Sequence, residues 1–154
     1  MNVYVTPGGR KAVPQLIERA AGPDARLIHD PHGAPLLAGS DLNISISHSR
    51  NFAAVAVSAR GRIGIDIEEP RLEQLRRVIG KFLAPEEMPL WGDRLLAAWT
   101  CKEAVFKAAG VPGIGLGSIL LVEPDVAMVP DGRRFRLQTL ETADYTISTA
   151  YEEH

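Results

Sequence analysis

The sequence predicts an α+β fold, and three observations carry that expectation. Short segments alternate apolar and polar residues as strands do, whereas Leu72, Leu75, Val78, Ile79 and Phe82 recur at helical spacing. The order is strand, helix, strands, then helices, strands, so the two halves share a helix-then-strands plan. Finally, 154 residues with 45% hydrophobic and 23% charged side chains have ordinary globular composition, enough to bury a core without disulfide or metal staples. We therefore expect one domain over 1–154. No repeat is visible as sequence identity, so only the shared plan suggests an internal duplication.

Asn2 to Thr6 reads as a strand, followed by a helix to about Ala21, where Gly22 and Pro23 stop it. Its start has two solutions: Thr6 as cap with Pro14 kinking the interior, or a regular helix beginning near Pro14. Strands follow at Arg26 to His29, Leu42 to Ser47, Ala53 to Ser58 and Arg62 to Glu68. After the helical period that begins past Pro70, a second helix runs from about Arg94 to Ala109. Asp93 is its expected N-cap, and Gly110 followed by Pro112 its exit. Strands return at Leu116 to Val122, Val126 to Val129, Arg133 to Leu140 and Tyr145 to Tyr151, with a hairpin turn at Pro130-Asp131-Gly132.

Lys plus Arg total 17 against 19 Asp plus Glu, a formal net charge of −2, so no overall field favours nucleic acid or an anionic membrane as partner. The longest apolar run, Phe52 to Val57, is far short of a membrane span, and MNVYVTPGGRK lacks the order of a signal peptide, so the expected compartment is the cytoplasm. Cys101 is the single cysteine and reads as a small buried hydrophobe.

In Arg62-Ile63-Gly64-Ile65-Asp66-Ile67-Glu68 the isoleucines point one way and Gly64, Asp66 and Glu68 the other. Carboxylates two apart on a strand, roughly 6.6 Å at the backbone, can close on one small divalent cation. The same alternation also describes an amphipathic strand with two solvated acids. Gly64 removes a side chain that would keep a ligand off the backbone. Trp99, Glu103 and Lys107 follow at four-residue steps and share one helix stripe, as a Glu-to-Lys surface pair or as an acid and a phosphate partner. Ser45-Ile46-Ser47-His48-Ser49-Arg50 ends a strand with donors suited to phosphate oxygens, and equally describes a polar turn. Arg10 and Lys11 after Gly8-Gly9 offer charge near a helix start or a solvated basic pair.

Taken in order, ISISHS, GIDIEE, FLAPEE, WTCKEAVFKAAG and GVPGIGLGS resemble the 4′-phosphopantetheinyl transferases of the surfactin-synthetase-activating type, over about Asp30 to Val122. The resemblance implies two pseudo-symmetric helix-plus-antiparallel-sheet halves, about residues 1–61 and 62–154, with the site between them, binding coenzyme A as substrate and Mg²⁺, or Mn²⁺ in its place. Carried over by motif, Asp66, Glu68 and Glu103 are metal ligands, Glu103 also a possible base, and Lys107 a catalytic diphosphate contact. Ser47 and His48 meet the 3′-phosphate of coenzyme A, and Lys102 lies close to phosphate. Larger members carry more chain before the SHS motif, with basic residues that grip the 3′-phosphate, and here Arg10 and Lys11 stand in as replacements. The small trimeric carrier-protein synthases resemble only the part from Arg62 onward, so the preceding residues favour an active monomer.

The implied reaction is transfer of 4′-phosphopantetheine from coenzyme A to a serine of an acyl or peptidyl carrier protein, with release of 3′,5′-ADP. That serine supplies the nucleophile, which explains why the sequence shows none of its own. Its proton goes to Glu103 or to a water on the cation. Which carrier, and whether fatty acid, polyketide or nonribosomal peptide synthesis is served, stays open. Two other readings use the same residues: a catalytically impaired carrier-protein or coenzyme A binding module, and a Mg²⁺-dependent phosphohydrolase.

Overall fold

The computed structural model describes residues 1–154. Strand β1 (Asn2–Pro7) leads through a 3-10 turn at Gly9–Ala12 into α1 (Val13–Ala21). Pro14 falls in the first turn of α1, where its missing N–H breaks no helical bond, so the start near Pro14 is the one adopted. There follow β2 (Leu27–His29), β3 (Pro35–Leu37), β4 (Asn43–His48), β5 (Phe52–Ser58) and β6 (Ile63–Glu68). Next come α2 (Leu72–Arg77), α3 (Ile79–Phe82), α4 (Met88–Trp91) and the long α5 (Leu95–Ala109). The chain ends in β7 (Leu120–Glu123), β8 (Val126–Met128), β9 (Arg134–Glu141) and β10 (Thr146–Glu152).

The α+β class is as expected, with local departures. Segment β3, which begins at a proline, was not expected as a strand; it pairs with β2 as a short hairpin. The helical period after Pro70 is split at Val78, whose backbone (φ −116°, ψ 13°) leaves the helical region. Residue Arg94, not Asp93, is the N-cap of α5, and it has no side-chain cap. Leu116–Ser118 form a 3-10 turn before β7. At the other end, Gly110 takes the left-handed conformation (φ +63°) that ends α5.

All strand pairs are antiparallel. A three-stranded sheet has the order β1-β5-β4, and a five-stranded sheet the order β6-β10-β9-β8-β7. Each sheet has its own helix: Leu16 and Ile17 of α1 pack on Ile44, Val55 and Val57, whereas α5 covers β6 and β10. In register, Ser45 stands opposite Ala56 and Ser47 opposite Ala54, so these four residues share the face of the first sheet that α1 leaves uncovered. Ile63, Ile65 and Ile67 of β6 pack with Ala54 and Ala56, which joins the two sheets.

On the other face of β6, Gly64 is where α5 crosses. A Cβ there would overlap the Ala104 carbonyl oxygen, so the bare Cα admits the helix, not a ligand as its place in the sequence suggested. We expect Gly64→Ala to lower the unfolding free energy by about 1–3 kcal/mol or more in a urea titration, because backbone must move to accept the methyl group.

Candidate active site between the two sheets

Asp66 lies under α5, and its burial corrects the expectation of a solvated acid on an open strand face. Its Oδ1 accepts from Ser47 Oγ at 3.1 Å and Lys107 Nζ at 3.3 Å, while Oδ2 is buried with no partner. Burial pushes this carboxyl up to about 7; Lys107 opposes the rise, and the negative charges of Glu68 and Glu103 add to it. Glu103 is half-buried and its carboxyl is raised too, first by desolvation, with Lys107 pulling it down and Glu68 pushing it up. Glu68 is half-buried and pairs with Arg71 at 3.3 Å, whose guanidinium sits 4.8 Å from the Trp99 ring.

The stripe read from α5 is therefore present: Trp99, Glu103 and Lys107 run along the side that faces Asp66 and Glu68. Lys107 Nζ also donates to the carbonyls of Ile65 at 2.8 Å and Ile46 at 3.3 Å, one from each sheet. Its side chain lines a cavity of about 590 Å³ between the sheets, together with Phe106 and Gly110 of α5, Arg62, and the loop from Asp30 to Pro35. That loop is held by Asp30 Oδ1, which accepts from the N–H groups of His32 and Ala34, both at 2.9 Å.

Two expected phosphate contacts are elsewhere. Lys102 is fully buried, donating to the Phe82 carbonyl and to Glu87 Oε1 at 2.8 Å, so it holds the second half together and does not reach the cavity. One residue before Glu103, it points about 100° around the helix, into the core. The Ser47 hydroxyl is buried and spent on Asp66 and on the N–H of Ile67. His48, Arg10 and Lys11 are exposed, and the structure brings their segments together: the Gly8 N–H donates to the Asn51 carbonyl at 2.8 Å, and Gly9 packs on the Arg50 carbonyl. Cys101 is buried, its thiol raised by desolvation, as a small core residue should be.

Sequence reasoning missed Arg71, Glu87 and the Asp30 loop as parts of the site and its support. Glu87 lies in the quoted FLAPEE motif, but nothing local marks its partner fifteen residues on.

A divalent cation fits this chemistry. Asp66 keeps a buried carboxylate oxygen without a donor, and the negative charges of Glu68 and Glu103 push its carboxyl up, so a cation beside that oxygen would relieve both. Asp66, Glu68 and Glu103 do not close into a three-ligand cluster in this structure. Mg²⁺ is commonly held by one or two carboxylates with waters and substrate phosphate oxygens, so a full cluster is not required of them.

The profile of the 4′-phosphopantetheinyl transferase superfamily matches residues 62–151, from the start of β6 into β10. The chain belongs to that superfamily. It is similar to the 4′-phosphopantetheinyl transferase HetI of Nostoc sp., 33% identical over 115 residues that cover 66% of this chain and 46% of that protein. It is also similar to slr0495 of Synechocystis sp., provisionally described as a 4′-phosphopantetheinyl transferase, 30% identical over 112 residues with 63% and 44% covered. The matches span less than half the length of either curated relative. Within the superfamily region, the matched strand and helix are the two that carry Asp66, Glu68, Glu103 and Lys107.

Proposed function

We propose that this superfamily member transfers 4′-phosphopantetheine from coenzyme A to a serine of an acyl or peptidyl carrier protein and releases 3′,5′-ADP. The observation that carries the reading is the unpartnered, buried Asp66 Oδ2 close to the charges of Glu68 and Glu103, joined through Oδ1 to Lys107, which lines the cavity between the sheets. In the reaction the serine oxygen bonds to the phosphorus that bears pantetheine, and the bridging P–O bond breaks toward the nucleotide. The serine proton passes to Glu103, whose raised pKa suits a general base. Lys107 faces the diphosphate from the cavity wall and stabilises charge on the departing 3′,5′-ADP. Asp66, Glu68 and Glu103 would hold Mg²⁺ or Mn²⁺, which supplies neutralisation of the diphosphate charge. The remaining work is positioning.

We read the chain as one transferase domain of the surfactin-synthetase-activating type, with pseudo-halves at about 1–61 and 62–154, acting as a monomer in the cytoplasm. The two sheets that border the cavity come from a single chain, which supports the monomer; an obligate trimer in sedimentation at assay concentration would overturn it. Incubation with coenzyme A, Mg²⁺ and an apo carrier protein tests the activity itself. A carrier heavier by one phosphopantetheine in the mass spectrum supports it, and hydrolysis of coenzyme A or no product contradicts it.

His48 closes β4 beside the Arg10 and Lys11 turn, an exposed cationic corner suited to the 3′-phosphate. We expect His48→Ala to weaken coenzyme A more than 3′-dephospho-coenzyme A in titration calorimetry. Equal loss for both ligands would make His48 a structural residue.

A further inference from the structure

We propose that Ser47 is a positioning residue for Asp66, one of two hydroxyls that take the place of a backbone ladder along the open edge of β6. This deepens the transferase reading and rests on it. β6 has a partner strand, β10, on one side only. Its other edge would leave the N–H groups of Ile65 and Ile67 buried without acceptors, a costly state. Ser45 Oγ accepts from Ile65 N–H at 3.0 Å and Ser47 Oγ from Ile67 N–H at 3.1 Å. The two-residue period of both strands makes the match. The edge is thus satisfied by side chains of the first sheet, and Lys107 ties the Ile65 and Ile46 carbonyls across the same junction.

Ser47 does more than Ser45. Its oxygen accepts from Ile67, so its own proton is free to donate, and it goes to Asp66 Oδ1 at 3.1 Å. With Lys107 on the same oxygen, two donors fix the rotation of the carboxylate and leave Oδ2 as the atom without a partner. The arrangement also removes Ser47 from phosphate recognition. Having donated its only proton, the hydroxyl offers an anion nothing but a lone pair.

Ser45→Ala and Ser47→Ala separate the two roles. Each deletes one acceptor for a β6 N–H, and only the second deletes a donor to Asp66. Three quantities are compared with the wild type: melting temperature, Mn²⁺ affinity of the free protein by titration calorimetry, and steady-state transfer. Both variants should melt lower by similar amounts, while Ser47→Ala alone weakens Mn²⁺ by about 10–100-fold, the range for residues that orient metal ligands. It should raise the Mg²⁺ needed for half-maximal transfer and leave the KM for coenzyme A little changed. Should Ser47→Ala not fold, Ser47→Cys keeps the volume with weaker bonds and serves in its place. Mn²⁺ affinity as high in the Ser47 variant as in Ser45→Ala overturns the proposal while transfer by the wild type stands. A raised coenzyme A KM with intact Mn²⁺ affinity also overturns it and makes Ser47 a phosphate contact. A wild type that neither binds Mn²⁺ nor transfers removes the transferase reading and this one together.

Discussion

Asp66→Asn is expected to abolish transfer and yet leave the protein, above pH 7, at least as stable as the wild type. The carboxyl sits at about 7 in the folded chain against 3.8 as its ordinary value, because burial outweighs Lys107 and the charges of Glu68 and Glu103 add to it. The folded state therefore holds this proton more tightly than the unfolded chain. The stabilisation is full below about pH 3.8, declines as pH rises and is gone above about 7. Asparagine has no proton to lose and escapes that decline. Glu103 is pushed in the same direction and is present in both proteins. Because its charge and that of Asp66 act on each other, its rise is smaller in the variant, which changes the difference with the same sign. Melting temperatures from pH 4 to 8 should thus show the variant gaining on the wild type as pH rises. Transfer should fall at least about 10²–10³-fold, the scale on which loss of one preorganised electrostatic partner is felt. A variant that transfers at the wild-type rate, or one that loses ground with rising pH, contradicts this account of Asp66.

The same residue shows what a local pattern can and cannot reveal. Alternation in Ile63 to Glu68 assigned the isoleucines to one face and the acids to the other, and the structure agrees. It did not reveal that the acidic face is covered. The signal was Gly64, which shares that face and whose missing Cβ admits α5. The stripe of Trp99, Glu103 and Lys107 follows from helical spacing alone, because residues four apart stand above one another. Its neighbour Lys102 needed one further step, that adjacent helical residues do not face the same way. The serines of ISISHS were legible as donors at the polar end of a strand, but their partners belong to β6, about twenty residues later. Contacts of that range depend on how two sheets meet, and no periodicity encodes it.

Lys102→Met is expected to act on stability and hardly at all on coenzyme A. The ammonium is fully buried, and desolvation lowers its pKa against the pull of Glu87. Glu87 is satisfied from three directions: Oε1 accepts from Lys102 and from the Ala84 N–H at 2.8 Å, and Oε2 from the Leu121 N–H at 2.9 Å. The pair thereby ties α5 to the segment before α4 and to β7. A buried pair of this kind adds little net stability over an apolar pair, but removing one partner strands the other charge, at about 3–5 kcal/mol. Urea unfolding should register that loss for Lys102→Met, and Glu87→Gln should lose stability in the same way. The double variant should lose less than the sum, since neither charge is then left alone. In whatever fraction folds, the KM for coenzyme A should stay near the wild-type value, because Lys102 does not reach the cavity where Lys107 stands. An unchanged unfolding free energy together with a raised KM would place Lys102 on the phosphates after all, and the buried pair would not be the state that meets substrate.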